Sequence, residues 1–199
     1  MIMGRELVEG RIPFVQARWY KALKPGRHIQ YIVIHSMEAP EKGTTAESVA
    51  HYFQTLPATR KASAHYTIDS DSIVQCVQTK DVAYAAPYVN HNGIQIELAG
   101  YARQTRAEWL DAYSVAMLKN AAWLCGKILI PKYKLPVKVC TAADLKRGVD
   151  DTVNVRGFTT HADASRAFKP GGHWDPGPGF PMGVFLGYVT AAVNGTLED

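Results

Sequence analysis

The run Tyr31-Ile32-Val33-Ile34-His35 limits the possible folds more than any other stretch of the chain. Its first four side chains are aromatic or β-branched, so as a strand it offers no polar face to water. It belongs in the middle of a sheet covered on both sides. A histidine closes it. In open α/β sheets ligands gather at the carboxyl ends of strands, which makes His35 a candidate ligand; a hydrogen-bonded core histidine is the competing reading.

The segments that follow alternate between helical and strand periodicity. After the polar turn Glu38–Gly43, Thr44 and Glu47 have capping-box spacing, and Ala46, Val49, Ala50 and Phe53 recur at helical intervals, predicting a helix to about Thr55. His65–Asp69 and Ile73–Val77 flank Ser70-Asp71-Ser72 as a β-hairpin. The loop Tyr84–Asn92, rich in Ala, Pro and Asn, is expected at the surface. It leads into Gly93–Gly100, where Ile94, Ile96 and Leu98 share one face of a strand and Gln95 and Glu97 the other. A carboxylate on a mostly apolar strand needs a partner, so Glu97 is either half of a structural salt bridge or a base facing a cleft.

A second capping-box pattern, Thr105 and Glu108, opens the longest predicted helix, with Leu110, Tyr113, Met117, Leu124 and Ile128 on one stripe and Pro131 as its stop. A short helix is expected near Ala142–Arg147, and an apolar one from Met182 to Val193, ended by Asn194-Gly195. The first thirty residues, including the turn Lys24-Pro25-Gly26-Arg27, read as a segment packed across the domain. The chain shows no internal repeat or linker. The alternation predicts one α/β domain, a mixed central β-sheet flanked by α-helices, over residues 1–199.

Chemistry concentrates in Arg156–Pro181, RGFTTHADASRAFKPGGHWDPGPGFP. His161 offers an imidazole nitrogen and Asp175 a carboxylate oxygen, donor types that suit zinc in a site with one position open to water. With Trp174 extended, His173 and Asp175 point to the same side. The run Pro176-Gly177-Pro178-Gly179 then fixes the backbone behind the aspartate, because proline locks φ and glycine permits a tight reversal. Taken singly, each of these residues reads first as an ordinary turn or surface group.

Composition excludes several classes. With 22 Lys and Arg against 18 Asp and Glu, the net charge is +4, dispersed along the chain. That falls short of a nucleic-acid footprint but favours loose attraction to an anionic surface. No apolar run approaches a membrane span, and the opening MIMGRELVEG carries acids where a signal peptide has its apolar core, so synthesis in a cytoplasm without Sec export is expected. Three scattered cysteines, Cys76, Cys125 and Cys140, read as buried thiols and not as a disulfide framework or zinc knuckle.

The segments IVIHS (32–36), SAHYTIDSDSIVQCV (63–77), NHNGIQIELAG (90–100), HADASRAF (161–168) and HWDPGPGFP (173–181) together resemble the zinc-dependent N-acetylmuramoyl-L-alanine amidases of the type 2 family. That superfamily includes the peptidoglycan recognition proteins and many phage endolysins. The wording is most similar to amidase modules of lysins from phages of mycobacteria and related actinobacteria. The resemblance implies a family-like core over about 28–190, Zn2+ held by His35, His161 and Asp175, and Glu97 as the carboxylate acting on the metal's water. It implies peptidoglycan as the partner and a hydrolysed bond between N-acetylmuramic acid and the L-alanine of the stem peptide. It further implies passage to the wall through a holin pore, either whole or as one module of a longer lysin, and a monomer is the default expectation. Asn90, His65 and Trp174 are candidate substrate contacts.

Three departures from the family pattern stand out. His173 occupies a position where many members have lysine, which keeps a donor and leaves its charge to pH. Asp175 follows His161 by 175 − 161 = 14 residues, longer than in the compact recycling amidases. Ala64 replaces the tyrosine that phage lysozyme-type members place before the hairpin histidine, which leaves the base role to Glu97. A non-catalytic recognition module and a cytoplasmic muropeptide-recycling amidase are the rival readings. A zinc protease is disfavoured by the absence of an HExxH pattern.

Overall fold

The chain forms, in order, β1 (Tyr20–Lys21), β2 (Tyr31–Ser36), α1 (Thr45–Thr55), β3 (Tyr66–Ile68), β4 (Ile73–Gln75), β5 (Val82–Ala83) and β6 (Gly93–Leu98). Then follow α2 (Ala112–Trp123), a π-helical segment Leu124–Leu129, α3 (Ile130–Tyr133), α4 (Ala142–Gly148), β7 (Gly157–Thr160), α5 (His161–Phe168) and α6 (Met182–Asn194). This computed structural model describes residues 12–23, 27–148, 154–168 and 172–198. The segment Met1–Gly10 and the turn residues 24–26 lie outside them.

The β-branched run is the buried interior strand its composition predicts. All six residues of β2 are buried, and the five-stranded sheet has the order β4-β3-β6-β2-β7. β2 runs parallel to both β6 and β7, β3 parallel to β6, and β4 antiparallel to β3. The sheet is therefore mixed, with the antiparallel hairpin at one edge. Alternation divides its faces. Ile32, Ile34, Ile94, Ile96 and Leu98 point into one core with Met117, Leu118, Ala121, Phe185 and Val189 of α2 and α6. Tyr31 and Val33 point the other way, toward Leu145 of α4 and Ala164 and Ala167 of α5. All three cysteines are buried and free.

Helix boundaries depart from the sequence expectation at three places. Thr44 makes no side-chain cap; instead the buried Asp69, reaching across from the hairpin, accepts the Ala46 N–H at 2.9 Å. Thr105 and Glu108 do bond reciprocally, but around a short 3-10 turn, Glu108–Leu110. The α-helix starts only at Ala112, where Asp111 accepts from Ser114 N. Pro131 does not stop the long helix: it sits in the first turn of α3, directly after the π-helical segment, and the chain ends that helix at Lys134 in a left-handed conformation (φ 53°).

Candidate metal centre

Parallel pairing places the functional side chains before any of them contacts another. His35 and Glu97 lie directly opposite each other near the carboxyl ends of β2 and β6. β7, on the other side of β2, ends at Thr160, and His161 opens α5 immediately beyond it. Thr160 and Asp163 fix that opening: Asp163 N donates to Thr160 Oγ1 at 3.0 Å, and the Thr160 hydroxyl donates back to Asp163 Oδ2 at 2.7 Å. Asp175 is brought in by its backbone, whose carbonyl accepts from Ala162 N at 2.9 Å. The turn behind it needs Gly177, which has φ 88° and whose Cβ, if present, would lie 1.7 Å from the Ala102 carbonyl oxygen.

The donors converge. His35 Nδ1 lies 3.1 Å from Asp175 Oδ2, and His161 Nδ1 lies 3.1 Å from Asp175 Oδ1. The ligand atoms of these three residues all fall within 4.8 Å of one another. Glu97 Oε1 stands 4.0 Å from His35 Nδ1, beside the cluster. The exposed ring of His173 stacks on His161 with centroids 4.1 Å apart, its Nδ1 3.8 Å from Asp175 Oδ1. Two imidazole nitrogens and one carboxylate, buried, with a second carboxylate held just outside, fit a zinc ion that keeps one position open. They fit calcium or magnesium poorly, since those prefer oxygen donors throughout.

Burial and charge pull against each other in this cluster. Burial favours a neutral His35, but the Glu97 and Asp175 carboxylates outweigh it and raise its pKa to about 9. Burial pushes Glu97 up to about 7, opposed by His35 and assisted by the nearby Asp175 and Glu38 charges. Asp175 is pushed up by burial as well, yet hydrogen bonds from His161 and His35 hold it well below the ordinary carboxylate range. Burial also lowers His161. Two carboxylates in so dry a place call for a positive charge between them.

A groove of about 400 Å³ opens from the cluster, lined by Pro87, Tyr88, His161, Ser165, His173 and Trp174. Trp174 is 55% exposed and Tyr88 64%. The other two candidate substrate contacts lie elsewhere. Asn90 spends its side-chain oxygen on the N–H groups of Ala85 and Ala86, shaping the loop that carries Tyr88. His65 is wholly buried and has no surface to offer a substrate. Its Nδ1 accepts from Gln95 N at 2.9 Å, which leaves Nε2 to donate to the Asp81 carbonyl at 3.1 Å. Tyr88 and Gln95 carry no role in the sequence reading. The available signal for Gln95 was its place on the Glu97 face of β6.

A family model described as N-acetylmuramoyl-L-alanine amidase matches residues 25–178. The chain belongs to this amidase family. It is therefore a hydrolase, and family membership supports peptidoglycan as what it cuts. No curated protein matches the sequence. Among solved structures, the Staphylococcus aureus hydrolase AmiA superposes with a TM-score of 0.64 at 15% identity, covering 97% of this chain and 89% of that one. AmpD superposes at 0.63 with 20% identity, covering 95% and 99%. A mutant endolysin from Bacillus subtilis superposes at 0.59 with 18% identity, covering 90% and 98%. At these identities the likenesses establish that this amidase shares the fold.

Proposed function

We propose that this amidase is zinc-dependent, that it hydrolyses the bond between the lactyl group of N-acetylmuramic acid and the L-alanine of the stem peptide, and that it serves as a phage endolysin. The observation that carries the reading is the His35–His161–Asp175 cluster with Glu97 beside it at the carboxyl ends of β2 and β6. Zinc held there would lower the pKa of a water to about 7 and polarise the scissile carbonyl. Glu97, held beside the cluster, would take a proton from that water and deliver it to the leaving amine. His173, on the open side, donates to the developing oxyanion, a contribution of roughly 3 kcal/mol to the barrier. Trp174 and Tyr88 line the groove along which the muramyl peptide lies. The endolysin assignment rests on the phage-like motif wording and on the fold shared with an endolysin.

Digestion of purified peptidoglycan, with and without a zinc chelator, tests the reading. New L-alanine amino termini without new reducing ends, lost with chelator and restored by zinc, are expected. Reducing ends would mean a glycosidase; wall retention without cleavage would mean a recognition module. Glu97→Gln is expected to keep one zinc per chain and lose activity by about 10²–10⁴-fold. A variant as active as the parent would remove Glu97 from the mechanism.

A further inference from the structure

Gln95 is wholly buried on the strand face that carries Glu97, and its amide bridges two groups. On one side its Nε2 lies 3.3 Å from the Val89 carbonyl oxygen; on the other its Oε1 lies 2.9 Å from His35 Nε2. A carbonyl can only accept, so Val89 dictates which end of the amide faces it. The amide nitrogen turns to Val89 and the amide oxygen to His35. An amide oxygen can also only accept, so His35 Nε2 must be the donor and carry a hydrogen. The nitrogen left to face Asp175 and Glu97 is Nδ1, the atom 3.1 Å from Asp175 Oδ2. Gly93 makes room for the arrangement: a Cβ there would lie 2.5 Å from the Val89 oxygen and 2.8 Å from Gln95 Nε2.

His161 has no such device. Among the described residues its Nε2 is buried without a hydrogen-bond partner, and its ring is held by Asp175 and by packing between the rings of His35 and His173. The burden of presenting a ring nitrogen in a fixed direction therefore falls on His35 and its amide partner. A ligating imidazole whose other N–H is held by a fixed acceptor is both oriented and more basic.

We infer that Gln95 is a positioning residue for the metal centre: oriented by the Val89 carbonyl, it holds the hydrogen on His35 Nε2 and so presents Nδ1 to the ion. Val89 belongs to the loop that carries Tyr88 on the groove wall, so the same amide ties that wall to the ligand. The inference rests on the zinc reading above.

Zinc affinity, by competition with a chromophoric chelator, separates the two. Gln95→Met keeps the length and removes the acceptor; its zinc dissociation constant is expected to rise about 10–100-fold. Gln95→Glu restores an acceptor to His35 and is expected to return most of that loss. A folded Gln95→Met protein that binds zinc as tightly as the parent would overturn the inference and leave the zinc reading standing. A parent that binds no zinc would overturn both. The unmodified protein supplies a second test that needs no variant: the zinc-loaded form should show a slowly exchanging His35 Nε2–H in nitrogen-15 spectra. A ring protonated at Nδ1 instead would refute the assignment.

Discussion

At the scale of single residues, this protein fixes proton positions by setting a backbone N–H or an acceptor oxygen against each nitrogen of a buried ring. His65 is the clearest case. Its Nδ1 accepts from the Gln95 N–H and its Nε2 donates to the Asp81 carbonyl, so a second ring proton would point at a backbone N–H. Burial, with the Arg27 guanidinium 3.1 Å away, lowers its pKa to about 3. Arg27 itself is lowered to about 10 by burial, and gives its hydrogens to carbonyls of Thr79, Asp81, Asn90, His91 and Gly93. The pH consequence follows. The unfolded ring takes up a proton near pH 6.5 and the folded one only near 3, so stability is complete above 6.5 and falls as pH drops between them. Each pH unit in that window costs up to about 1.4 kcal/mol. Urea unfolding from pH 7 to 4 should show the slope, and His65→Gln should flatten it; an unchanged slope would mean that other groups set the acid limb.

Elements in this fold are bounded by partners from other elements as often as by their own sequence signals. Asp69 caps α1 from the hairpin, and the π-helical segment sets Gly126 against α6, where an added Cβ would come within 2.6 Å of Ala192 Cβ. The locally read cap failed at Thr44: its side chain bonds none of the first-turn N–H groups, and a carboxylate remote in sequence, Asp69, takes the one on Ala46. The turn behind Asp175 is the element on which the metal centre most depends. Gly177→Ala would put a side chain into both a left-handed conformation and the Ala102 carbonyl, costing about 1–3 kcal/mol from the conformation alone. The turn is expected to relax by moving Asp175, so zinc affinity should fall together with melting temperature. Gly183→Ala, in α6 with nothing within 4 Å, is the matched control and should leave zinc affinity unchanged. Equal zinc affinity in both variants would show that Asp175 does not depend on the turn.

At the scale of the whole molecule, a strand order with β2 between β6 and β7 assembles the site from segments far apart in the chain. Among the described residues no helix is long and apolar enough to cross a membrane. The sequence by itself determined the element types, because periods of 2 and 3.6 are local properties: the β2 run, the two faces of β6, the hairpin and the apolar helices could all be read from it. It also presented His35, Glu97, His161 and Asp175 as donor types at strand and turn ends. Their convergence was implied by the family resemblance alone and not by periodicity or spacing, since parallel register, and with it the facing of His35 and Glu97, is set by pairing between strands that are not adjacent in sequence. The same holds for Gln95, for Asp69 and for the burial of His65. A hydrogen-bond partner or a desolvated ring is a relation between distant residues, and only the packed tertiary structure decides which groups meet.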